Sequence, residues 1–164
     1  MKHKDRHVIG KSISILYRYG KIFFNDQFKE LSIGKGQYMI LICLYHHQGI
    51  TQDDVAKKLR IDKANIARGV KKLEENGYVT REVDPDDKRA YRLYPTEKAI
   101  KVQPQIYDSS VKWMDIITDG VSDDEIEQFI KTLTKLTINA CEYSGDIKLA
   151  NHLKNKECDK CERT

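Results

Sequence analysis

Seven basic residues crowd one short stretch of the chain: Lys57, Lys58, Arg60, Lys63, Arg68, Lys71 and Lys72, against the single acid Asp62. Ammonium and guanidinium groups at this density suit a polyanion. Among them stand Ala64 and Asn65, whose chemistry is more selective. An asparagine amide can pair in bidentate fashion with adenine and an arginine fork with guanine, each worth about 1–3 kcal/mol of discrimination. A small alanine allows close approach or contact with a thymine methyl. A second basic pair, Lys88 and Arg89, lies in the segment GYVTREVDPDDKRAYRLYPT that runs from Gly77 to Thr96. A charge run alone is usually a solvated helix face, so the elements that carry these residues decide what they can do.

Those elements are legible. Thr51, with Asp54 three residues on, resembles a helix N-cap with a first-turn acid, and Val55, Ala56 and Leu59 fall on one side of the helix that follows. Only Arg60 and Ile61 separate it from a second helix, capped by Asp62, with Ile66, Val70 and Leu73 spaced for a core and Asn76-Gly77 closing it. Tyr78–Val83 and Ala90–Tyr94 read as strands, with Pro85 in the loop between them. Helix, turn, helix and hairpin in that order make a winged helix-turn-helix. In such a motif the N-terminal half of the second helix enters the major groove. Lys63, Ala64, Asn65 and Arg68 are therefore the candidates to face bases, and Lys57, Lys58, Lys71 and Lys72 to contact phosphates. Asp62 reads as a structural cap. Gly69 should cost its helix about 1 kcal/mol relative to alanine, which predicts close packing against a neighbouring backbone.

The flanks are helical. Ile9, Ile13, Leu16, Gly20, Phe23, Phe24, Gln27, Phe28 and Leu31 share one helix face, the turn-forming Ser32–Gly36 follows, and Gln37–His47 is almost continuously apolar. After Thr96, helical spacing runs from Ala99 to Ile117, with Pro104 expected to bend or break it. Ser122 and Glu125 have capping-box spacing ahead of Ile126, Phe129, Ile130, Leu133, Leu136 and Ala140. Beyond Tyr143 the polar segment predicts a short helix or a loose tail. The expected fold is mainly α (α+β). Residues 1–143 form one domain, with a winged-helix lobe over 36–96, long helices over 7–31 and 97–143, and a tail over 144–164. The last two long helices carry more apolar surface than the lobe needs to cover it, which suggests a homodimer.

The run LEENGYVTREVDPDDKRAYRLYPTEKA closely resembles the signature region of MarR-type regulators (multiple antibiotic resistance regulators). The resemblance rests on Leu73-Glu74, Gly77, Val79, Arg81, Asp87-Lys88-Arg89 and Thr96, and extends in outline over residues 9–143. Pro95 stands where the family usually has leucine, so the last strand is expected to be shorter than in the family. The resemblance implies a homodimer, interlocked through its terminal helices, whose two winged motifs read the halves of a near-palindromic site in double-stranded DNA. It implies transcriptional regulation, in most cases repression, with Arg89 in the minor groove and Asp87 orienting the wing through Arg81. Many relatives are released from DNA by small aromatic or amphipathic ligands. By that analogy Tyr17, Tyr38, Tyr45, His46 and Trp113 are the pocket candidates, although such residues at helical spacing commonly serve packing.

Other functions find less support. No nucleophile, base and orienting group form a recognisable catalytic constellation, and no phosphate-cradling glycine loop occurs; the expectation is a non-enzyme without a cofactor. The longest apolar run, Tyr38–Tyr45, falls far short of the roughly 20 residues that span a bilayer, and the basic N-terminus lacks the apolar core of a secretory signal. A cytoplasmic protein that does not enter membranes is expected. Net charge is only +4, so the local placement of charge, rather than its sum, carries the inference. Cys43 reads as a small buried hydrophobe, and no cysteine precedes it to act as a peroxide sensor in the first helix. Cys158-x-x-Cys161 supplies two soft ligands; a structural zinc site needs four, so Cys141, His152 or a second subunit would have to complete it. A metal or redox switch at the C-terminus is one alternative, and a winged-helix module for protein interaction is the other.

Overall fold

The computed structural model describes the backbone of residues 3–34, 36–85 and 87–161, and the side chains of 6–34, 36–85 and 87–155. Contacts divide the chain into two compact units, residues 1–114 and 115–164.

The first unit runs α1 (His3–Gln27), α2 (Gln37–His46), β1 (Ile50–Thr51), α3 (Gln52–Leu59), α4 (Lys63–Glu75), β2 (Val79–Val83), β3 (Tyr91–Pro95) and most of α5 (Glu97–Thr118). Its core gathers Phe28 from the turn after α1, Leu41 and Leu44 from α2, Val55 from α3, Ile66, Val70 and Leu73 from α4, Leu93 from β3 and Ile106 from α5, all fully or almost fully buried. Burial of each such side chain contributes about 1.5–3 kcal/mol. This cluster therefore fixes where the surfaces of α3 and α4 point. The apolar stripe of α1 divides along its length: Gly20 and Phe24 are buried, as is Phe28 in the turn that follows, whereas Ile9, Ile13 and Leu16 remain exposed.

Local chemistry explains the ends of the short helices. The Thr51 hydroxyl accepts from the Asp54 amide while the Asp54 carboxylate accepts from the Thr51 amide, a complete capping box. That contact, led by the hydrogen bond to the Thr51 side chain, holds the Asp54 carboxyl below its ordinary range. α3 ends on Arg60, a non-glycine residue in the left-handed region at φ 55°. This backbone turn delivers the chain to the Asp62 cap of α4 within two residues. Gly69 is packed closely, as its position in a helix suggested, but against a side chain rather than a backbone. A Cβ there would lie 2.6 Å from Ile40 Cδ1, and Ile40 is itself buried.

The sheet has order β1-β3-β2 and is antiparallel throughout. β1 was not expected, since two residues are too few to show a strand period. It pairs Ile50 with Leu93 and Thr51 with Arg92. β3 runs through Pro95 and matches β2 residue for residue from Val83–Tyr91 to Val79–Pro95. The amide of Thr96 donates to Tyr78 O at 3.0 Å, so by alternation the nitrogen of Pro95 faces away from β2, on the side where β1 has already ended. The missing donor is not needed there.

One further expectation changes, and an open one is decided in favour of a helix. Pro104 lies inside an unbroken α5; the lost ladder bond is offset by Ala99, Ile106 and Ser109, buried on either side of it. The tail is a true helix, α7 (Ile147–Cys161), which with α6 (Asp123–Tyr143) makes the second unit. Ser122 and Glu125 form the expected capping box on α6, and Ile138 and Ala150 are buried within the unit.

Candidate nucleic-acid interface

α4 presents its first turn outward. Lys63, Ala64, Asn65 and Arg68 are all exposed, as are Lys57, Lys58, Lys71 and Lys72, while Ile66, Val70 and Leu73 hold the opposite face in the core. The exposed groups are ordered among themselves. Asp62 Oδ1 accepts from the Asn65 amide at 2.9 Å, Asp62 Oδ2 accepts from the Asn65 side-chain amide, and Asn65 Oδ1 accepts from Arg68 Nη2 at 2.6 Å. The backbone bond from Asn65, first, together with its side chain and the nearby Arg68 charge, keeps the Asp62 carboxyl below its usual range. Lys63 is engaged differently, with Nζ 2.6 Å from Asp53 Oδ2. Lys72 pairs with Glu75 at 3.2 Å.

The wing is built on a residue that sequence reasoning missed. Asp84 is buried, and its carboxylate accepts from Arg92 Nε at 2.9 Å and from Arg92 Nη2 at 3.4 Å. Asp84 Oδ1 also receives the Asp87 amide at 3.4 Å, and Asp87 Oδ1 in turn accepts the Arg89 amide at 3.0 Å. Buried carboxylate, cross-strand arginine and tip aspartate thus form a chain of contacts ending at Arg89. Lys88 and Arg89 project from the tip, exposed. Arg81, expected to partner Asp87, instead lies with Nε 2.9 Å from Glu74 Oε2, close enough for an ion pair though not aligned for a hydrogen bond. It ties β2 to α4. In the sequence, Asp84 is one of several acids beside a proline and looks like loop; only the strand register brings Arg92 diagonally across from it.

The aromatic pocket candidates are not brought together around a cavity. Tyr38 stacks on Phe24 at 4.5 Å between ring centroids, and burial pushes its hydroxyl up to about 12. Tyr45 donates to Ala99 O at 2.8 Å, and burial raises its hydroxyl likewise. Trp113 packs on Phe23 at 5.3 Å and lies beside Gly20, while Tyr17 is exposed. His46 lines a cavity. That cavity, about 420 Å³, lies between α2 and α3, with Met39, Ile42, Cys43 and Leu59 as apolar walls and His46, His47, Lys58 and Arg60 as the polar part of its lining. Burial raises the Cys43 thiol above its ordinary range, which leaves little thiolate. Among the described residues no group of three or more His, Cys, Asp or Glu side chains is arranged to hold a metal ion. The side chains of Cys158 and Cys161 lie outside the described residues. No helix is long and apolar enough to cross a membrane, among the described residues.

With this geometry in view, similarity to known proteins is specific. The MarR family profile matches residues 33–91, the span from the start of α2 into β3. The HTH-type transcriptional regulator YybA of Bacillus subtilis is 30% identical over 129 residues, covering 79% of this chain and 86% of that protein. A MarR transcriptional regulator from Methanosarcina mazei is 35% identical, with a TM-score of 0.78 over 84% of this chain and 99% of its own. A MarR family regulator from Listeria monocytogenes, solved with 26mer DNA, is 28% identical, with a TM-score of 0.75 over 85% of this chain and 93% of its own. These relatives are transcriptional regulators, not enzymes.

Proposed function

Because this chain belongs to the MarR family, we propose that it is a DNA-binding transcriptional regulator. It acts as a homodimer on a near-palindromic operator, chiefly by repression. The observation that carries this reading is the exposure of two cationic groups, one on the first turn of α4 and one at the tip of a wing that buried Asp84 holds in shape. Arg68 and Arg89, with Asn65, supply sequence preference; Lys57, Lys58, Lys71, Lys72 and Lys88 supply phosphate contacts and field. The homodimer rests on apolar side chains that a lone chain leaves exposed. On α1 these are Ile9, Ile13 and Leu16; on α6 they are Phe129, Ile130, Leu133 and Leu136, with Phe129 exposed to 55%. Stripes of this kind on two long helices are what an isologous interface covers. Selection of fragments bound from genomic DNA tests the reading. The expected product is an inverted repeat with half-sites about one helical turn apart; recovery of random fragments would reject sequence-specific regulation, and recovery of none would favour the protein-interaction module.

Asp53 gives a sharper check. Its carboxylate occupies Lys63 and adds negative charge to the surface that DNA would approach. An exposed pair of this kind contributes at most about 1 kcal/mol to stability. Asp53→Asn is therefore expected to tighten DNA binding by a few-fold at low salt with the melting temperature nearly unchanged, measured by fluorescence anisotropy and thermal denaturation. Weaker binding would show that Asp53 orients Lys63 productively.

The cavity between α2 and α3 favours ligand control as a second layer. Apolar walls bounded by His46, His47, Lys58 and Arg60 suit a small amphipathic acid, aromatic or aliphatic. Ile42→Trp would fill this space from the half-buried side chain that lines it. The variant is expected to keep DNA affinity and to lose any release of operator by aryl carboxylates that the wild type shows. Retained release would place the ligand elsewhere.

A further inference from the structure

Asn65 is flanked by two groups whose hydrogen-bonding roles cannot be exchanged. The ionised Asp62 carboxylate can only accept, and the Arg68 guanidinium can only donate. An amide between them has one satisfactory orientation, NH2 toward Asp62 and oxygen toward Arg68, and that is the one observed. Asp62 is itself fixed by its backbone bond at the helix cap. Both ends of the Asn65 amide are thus occupied along the helix surface. A direct bidentate pair with adenine would require the same oxygen and NH2 group.

Building on the DNA-reading surface proposed above, we infer that Asn65 is a positioning residue: it receives its orientation from Asp62 and aims the Arg68 guanidinium at a guanine, rather than reading a base of its own. The benefit is preorganisation. Arginine has many rotamers, and holding it in one before encounter removes an ordering cost that would otherwise weaken binding. Spacing favours the arrangement, since residues 62, 65 and 68 succeed one another at i, i+3 and so share one side of the first two turns. The same geometry accounts for an acid being tolerated at the edge of a cationic surface. Asp62 caps the helix and anchors the relay.

The experiment uses the full chain and a duplex obtained by selection on the wild type, with every base pair substituted in turn. Affinity profiles are measured for wild type, Asn65→Ala, Arg68→Ala, the double variant and Asn65→Asp. Arg68→Ala should abolish preference at one G·C pair. Asn65→Ala should lower preference at that same pair by about three- to tenfold, as expected for one immobilised side chain, and leave the other positions unchanged. The double variant should match Arg68→Ala alone. Asn65→Asp keeps an oxygen for Arg68 but loses the NH2 donor and sets a second carboxylate against Asp62, so it should restore only part of the preference ratio, and its added charge should lower affinity for every duplex. Loss of preference in Asn65→Ala at a position that Arg68→Ala leaves intact would make Asn65 a direct reader and overturn the relay. A uniform loss across all sequences, or no change at all, would overturn it equally. Absence of base preference in the wild type would overturn the regulator reading and the relay with it.

Discussion

Replacement of Arg89 by alanine is expected to weaken operator binding by about tenfold to a hundredfold, the range of one good base contact, while helical content and melting temperature stay as they are. The side chain is exposed at the wing tip, and among the described residues the backbone amide makes its hydrogen bond, donating to Asp87 Oδ1 at 3.0 Å. Truncation therefore removes a reaching cation without removing a brace. Arginine in a narrow minor groove gains from the enhanced negative potential there; Arg89→Lys should accordingly recover part of the loss by charge, and less at high salt. Titrations of both variants by anisotropy, with circular dichroism as the control on folding, decide the matter. Unchanged affinity in Arg89→Ala would remove the wing from the DNA interface.

Asp84→Asn should produce a second large effect by a different route. The native carboxylate is buried, bonded twice by Arg92 and once by the Asp87 amide. Asparagine keeps the volume but loses the charge and one acceptor. Hydrogen bonds to charged groups contribute about 1.5–3 kcal/mol, and partial solvation of Arg92, whose side chain is 35% exposed, argues for the lower part of that range. Stability in urea should fall by about 1–2 kcal/mol. DNA affinity should fall about tenfold at a temperature where the variant is fully folded, since each 1.4 kcal/mol of wing positioning corresponds to that factor. The combination distinguishes support from contact: Arg89→Ala changes affinity alone, Asp84→Asn changes both. Native stability in Asp84→Asn would contradict the role given to the buried pair.

The contrast between these two residues shows what the chain makes legible. Helical period and capping chemistry set the limits of α3, α4 and α6 closely, because Thr51, Asp62 and Ser122 satisfy backbone amides through side chains only three residues away. Family resemblance brought out the wing tip. Asp84 was hidden because its importance lies in Arg92, and that pairing exists only in the register of two strands. β1 was hidden for the same reason, being two residues long and defined by β3. Pro104 was read by its intrinsic tendency, which the packing of α5 overrides. Residue type alone cannot separate a cavity wall from a core. Tyr38, Tyr45 and Trp113 fill space, whereas the cavity between α2 and α3 is walled by Met39, Ile42, Cys43 and Leu59.

One measurement bears most directly on the central claim that two winged motifs of this chain grip a single operator. A duplex carrying the selected site is titrated with the full chain across a salt series, and the mass of the complex is determined under native conditions. The expected result is two chains per duplex, with log affinity falling against log salt at a slope steeper than about −4, as about five phosphate contacts at about −0.9 each require. One chain per duplex, or an affinity indifferent to salt, would contradict it.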